Sequence, residues 1–118
     1  MKYILFLILL LPVPAYAATE ILAAVAAAGT SSSFIVTNNG KKTIIIAAAS
    51  GHTAAEYSDV QISNDGGTTF ADLYQDGTQV RLHITNTAVR VEGPGTFRVA
   101  KEATSNATGV FLSEEKSL

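Results

Sequence analysis

The chain has 118 residues, of which 47% are hydrophobic and 15% charged, and it contains no cysteine and no tryptophan. That length holds one domain, and the missing cysteines exclude disulfides, thiolate metal sites and a cysteine nucleophile. Eight basic against ten acidic residues leave a net charge of −2. This balance offers no bulk attraction for nucleic acid or an anionic membrane, and the apolar content argues against a disordered chain.

The first element has the build of a secretory signal peptide. Met1-Lys2-Tyr3 is a short basic start, Ile4 to Leu11 is an unbroken apolar run, and Ala15-Tyr16-Ala17 is a small-x-small cleavage site. A spanning helix needs roughly 20 continuous apolar residues. Pro12, Pro14 and Thr19-Glu20 interrupt this one. Residues 1–17 are therefore expected to be a signal peptide, with an uncleaved anchor as the alternative, and 18–112 a β-domain. Without Lys2, seven basic and ten acidic residues remain, a net charge of −3.

The remainder reads as strands. Ile21 to Gly29 is alanine-rich but too short and uncapped for a stable helix, and is expected to be an edge strand or arm. Phe34 to Thr37 and Thr43 to Ala48 are β-branched runs around Asn39-Gly40, a strong hairpin signal that would set Ile35 opposite Ile44 and Phe34 opposite Ile45. Ala49 to Ser58 is an aperiodic connection. Asp59 to Ser63 alternates with Val60 and Ile62 inward, and Thr78 to Thr85 alternates with Val80, Leu82 and Ile84 inward. A turn at Asn86-Thr87 would pair Ile84 with Val89 and Leu82 with Val91. Gly93-Pro94-Gly95 would then return the chain into Thr96 to Ala100, completing a meander with Phe97 and Val99 inside. Ser113 to Leu118 is a polar tail. The sum is an all-β fold: a small antiparallel β-sandwich or barrel of about seven to eight strands with a C-terminal meander.

Little here supports catalysis. His52 and His83 are the two histidines; they show no ligand-like spacing, and each reads as a surface histidine. Asp59, Asp65, Asp72 and Asp76 lack the alternation of a calcium loop, and turn chemistry accounts for Asp65-Gly66 and Asp76-Gly77. Nucleophile-elbow, phosphate-loop and zinc-protease motifs are absent. No cofactor, metal or nucleic acid is expected, and the chain reads as a non-enzyme. Membrane contact is expected only through a transient signal peptide. Ser63-Asn64-Asp65-Gly66-Gly67-Thr68-Thr69-Phe70 matches the Asp-box pattern S-x-D-x-G-x-T-[WF]. Ser63, Asp65 and Gly67 would build the turn, and Phe70 would plug the core. Sialidases and related propellers carry several copies of this motif, whereas this chain has one. The motif therefore implies a hairpin and not glycosidase activity.

The meander register also brings His83, Arg90 and Arg98 side by side on the wet face of three strands, with Arg81 nearby. These are all three arginines of the chain. Local pairing with Glu92, Glu102 or Glu56 would explain them blandly. The sharper reading is a candidate partner-binding surface for an acidic protein or a glycan.

The segments ATEILAAVAAAGTSSSFIV, EYSDVQISNDGGTTFADLYQDGTQVRL and AVRVEGPGTFRVAKEAT, in that order, resemble small tailed-phage structural proteins. The resemblance spans most of residues 18–112 and rests on turn motifs and alternation. It implies a β-sandwich accessory subunit of the virion, a head-decoration or tail-associated protein binding other copies or the capsid or tail lattice, without catalytic residues. The signal peptide implies instead an exported, periplasmic or surface module binding a glycan or protein.

Overall fold

A computed structural model describes residues 19–37, 40–46, 52–53 and 56–116, the backbone alone in 40–46 and 114–116. The signal-peptide segment and the Asn38-Asn39 half of the expected turn lie outside the described residues. Twelve strand segments follow one another: β1 (Thr19–Val25), β2 (Gly29–Thr30), β3 (Phe34–Val36), β4 (Gly40–Ile46), β5 (Ser58–Ser63) and β6 (Ala71–Asp72). They continue with β7 (Tyr74–Gln75), β8 (Thr78–Gln79), β9 (Arg81–Leu82), β10 (Ala88–Glu92), β11 (Gly95–Lys101) and β12 (Thr108–Lys116). All described pairings are antiparallel, and the fold is all-β as expected.

One sheet has the order β1-β12-β4-β10 and the other β2-β11-β5-β6, with β3 also on β11 and β9 also on β5. Several segments are pieces of one strand. β2 and β3 run along the same side of β11, joined through Ser31, whose N–H donates to Val99 O at 2.8 Å and whose Oγ accepts from Val99 N–H at 2.9 Å. β6 and β9 likewise share β5: Leu73 N–H donates to Val60 O and Val60 N–H to Val80 O. Leu73 and Val80 close the base of the projecting β7–β8 hairpin. Counted this way there are eight strand positions, ordered 1-8-3-6 and 2-7-4-5. That is jelly-roll order, two Greek keys wrapped into a sandwich.

Alternation explains the core. Phe34, Val36, Val60, Val80, Leu82, Val91, Phe97, Val99, Val110 and Leu112 are buried, and Phe34 stacks on Phe97 at 5.9 Å between ring centres. Each such side chain contributes about 1.5–3 kcal/mol of burial.

Two expected pairings do not form. β3 and β4 make no hairpin: β3 pairs with β11, while β4 lies between β10 and β12. A hairpin apolar on both faces would need two covers. With its halves in opposite sheets, β3 gives Phe34 and Val36 to the core and leaves Ile35 outside at 66% exposure. The meander is absent too. His83 pairs with Asn86, so the turn falls two residues early, at Ile84-Thr85, and puts Ile84 at its exposed tip. β10 then joins β4 in the other sheet, and the chain crosses back through Gly93-Pro94-Gly95, with a cis peptide at Gly93-Pro94. That corner is packed against β3, for a Cβ on Gly93 would lie 2.5 Å from the carbonyl oxygens of Val36 and Thr37. Ile21 to Val25 does form an edge strand. The expected polar tail is instead paired with β4 from Ser113 as far as Lys116.

Candidate functional site: an outer face with two stacked arginines

Inward Ser58, Val60 and Ile62 leave Asp59, Gln61 and Ser63 of β5 on the outer face of the second sheet. Cross-strand register sets Arg81 opposite Asp59 and Arg98 opposite Gln61. Arg81 Nε donates to Asp59 Oδ1 at 2.8 Å, and its guanidinium carbon lies 4.1 Å over the Tyr57 ring, which meets His83 edge-on at 5.5 Å. The hydrogen bond and charge of Asp59 push the Arg81 guanidinium pKa up. Arg98 Nε donates to Gln61 Oε1 at 2.7 Å, and Gln61 Nε2 donates to Asp72 Oδ1 at 3.0 Å. The Arg98 guanidinium lies 4.1 Å over the Phe70 ring.

The surface inferred from the sequence is thus partly assembled. Arg81, His83 and Arg98 share one face. Arg90 does not, because β10 belongs to the opposite sheet. The turn residues act as expected, but their aromatic does not. Ser63 Oγ accepts from Gly67 N–H at 2.8 Å, and Asp65 accepts from Thr68 N–H, Thr69 N–H and Thr69 Oγ. These bonds, the Thr69 hydroxyl foremost, hold the Asp65 carboxyl well below the usual carboxylate range. Phe70 is half-buried under Arg98 and does not plug the core.

One end of this face carries Lys101, which sequence reasoning passed over, and gives His52, Glu56 and Glu102 partners other than the arginines. A shallow cleft of about 350 Å³ is lined by Tyr57, Asp59, Ala100, Lys101 and Glu102. Lys101 is buried at 3% exposure, with Nζ donating to Val25 O at 2.9 Å and Ala27 O at 2.7 Å. Burial pushes its pKa down. The signal was available, since Phe97, Val99 and Lys101 fall on one inward alternation. His52 is not at the surface but buried at 4% exposure, its Nε2 is 2.8 Å from Ser58 Oγ, and its Nδ1 has no hydrogen-bond partner among the described residues. No periodicity marks His52. Glu56 ties the adjoining turn to Ser105, whose hydroxyl and N–H bonds hold the Glu56 carboxyl down at about 2. Tyr57 N–H donates to Glu102 Oε2 at 2.9 Å.

These hydrogen bonds fix the segments that present Tyr57 and Arg81. Among the described residues, no group of three or more His, Asp or Glu is placed to hold a metal ion. Compared with known proteins, the chain matches no family model, no curated sequence and no solved structure.

Proposed function

We propose that this chain is a non-catalytic docking module of the kind represented by small tailed-phage accessory proteins, binding a protein partner through the outer face of β5 and its neighbours. The observation that carries the reading is the pair Arg81 and Arg98, each placed over an aromatic ring and hydrogen-bonded to a neighbouring strand. Arginines held this way have already lost most of the rotamer freedom that binding would otherwise cost. A glycan partner is disfavoured, because the Tyr57 and Phe70 rings it would stack on are each covered by a guanidinium. Tyr74, 59% exposed, stands apart on the β7–β8 hairpin. The non-catalytic part rests on the polar groups near the face: Asp65, Glu56 and Lys101 are occupied in structural hydrogen bonds. The signal-peptide-like start makes a setting outside the cytoplasm the companion expectation.

The test is sedimentation of the tagged full chain from its own source cells. The wild-type chain should travel with particles, while Arg81→Ser combined with Arg98→Ser should leave it free yet still cooperatively folded, its Tm lowered by about 4–8 °C for each ~1 kcal/mol lost from two half-buried contacts. A wild-type chain that stays monodisperse and particle-free overturns the proposal.

A further inference from the structure

The two arginines of the face differ in one respect. Arg81 is neutralised by Asp59. Arg98 is held by the neutral carboxamide of Gln61, and among the described residues no carboxylate pairs with it. Its support is unusually firm for a surface side chain. The ring beneath it belongs to Phe70, which follows directly on a turn locked by Ser63 and Asp65. Nε is used by Gln61, which aims the planar group and leaves the two Nη amino groups as an end-on fork.

We propose that Arg98 is the specificity contact of the docking face, and that its Nη fork takes an Asp or Glu carboxylate of the protein partner. This rests on the docking reading above. A fork of two parallel N–H donors matches a carboxylate and binds it bidentately. The surroundings favour a monoanion over a phosphate dianion, because Asp72, hydrogen-bonded to Gln61, already places negative charge beside Arg98 while the Asp59 charge is met by Arg81.

The experiment uses the full chain labelled with nitrogen-15, titrated at low salt with poly-L-glutamate, and with polygalacturonate and inorganic phosphate as separate arms. Poly-L-glutamate should shift the Arg98 Nε–H and Gln61 side-chain amide signals. Arg98→Lys, which keeps the charge and loses the fork, should weaken binding at least ~10-fold, the effect of about one lost bidentate contact. Arg81→Lys should leave it within about 2-fold, because Asp59 already occupies that guanidinium. Arg98→Gln, checked for signal dispersion, is the second variant.

The proposal is overturned by absent binding, by Arg98→Lys binding like wild type, by signals moving elsewhere, or by polygalacturonate or phosphate binding as tightly. Particle sedimentation fails separately. A chain that binds poly-L-glutamate through Arg98 but never sediments keeps the site and loses the virion-type docking role.

Discussion

Lys101 Nζ lies 2.7 Å from the carbonyl oxygen of Ala27, so a side chain on the inward face of the penultimate strand secures the link between the first two. The ammonium also donates to Val25 O, with Thr104 Oγ1 at 3.4 Å. Lys101→Met keeps the volume and removes the donors. It should cost about 1–2 kcal/mol, the usual loss for part-buried carbonyls left without a partner. A fall in Tm with faster amide exchange across Ala26 to Thr30 would register it.

His52 should make stability fall on mild acidification. Neutral, it spends Nε2 on Ser58 and leaves Nδ1 unpartnered; protonated, it would carry a second buried N–H without an acceptor. Burial lowers its pKa first. Glu56 opposes the shift, Lys101 and His83 add to it, and Glu102 opposes it. The folded pKa thus lies below the ordinary value of about 6.5, and the unfolded chain takes up the proton first as pH drops. Stability is full well above that value, declines as pH falls through it, and levels below the depressed folded pKa. Urea midpoints at pH 7.5 and 5.5 should differ for wild type, and the difference should shrink in His52→Gln.

Ser63→Ala tests the turn that supports Arg98. Its hydroxyl accepts from Gly67 and Asp65 N–H and donates to Asp65 Oδ1 at 2.8 Å. Ser63 is buried, so the loss should be about 1–2 kcal/mol. The side-chain Nε–H signal of Arg98 should broaden as Phe70 loosens, which an unrelated surface substitution would not produce.

Two glycines should respond oppositely in size. Gly93→Ala drives a Cβ to 2.5 Å from two backbone oxygens and should cost at least ~3 kcal/mol, shown as lost soluble yield or a collapsed Tm. Gly66 has φ +80° with open space around it, so Gly66→Ala carries only the conformational penalty, about 1 kcal/mol.

Much of the architecture could be read in the alternation of β5, β10 and β11, because period two states which side chains turn inward. Val60, Val91, Phe97 and Val99 are all in the core. Alternation does not say which strand lies alongside. Asn39-Gly40 and Gly93-Pro94-Gly95 mark reversals, and in a sandwich a reversal can stay within a sheet or step across to the other. The chain changes sheet between β3 and β4 and again between β10 and β11. The arginine surface inherited that ambiguity. Arg81 and Arg98 meet through β5, a strand remote from the meander that first suggested them, and Arg90 left with β10. Lys101 was legible in principle, whereas His52, in an aperiodic connection, was not.

The last two strands, β11 and β12, are interior to their sheets: β11 separates β2 and β3 from β5, and β12 separates β1 from β4. Partners such as Thr19 and Leu112, or Thr30 and Ala100, are 93 and 70 positions apart. Neither sheet can close until β11 and β12 are available, which predicts slow folding by contact order. During synthesis the earlier strands wait with open edges, so the nascent chain, more than the finished sandwich, is the species exposed to aggregation and proteolysis.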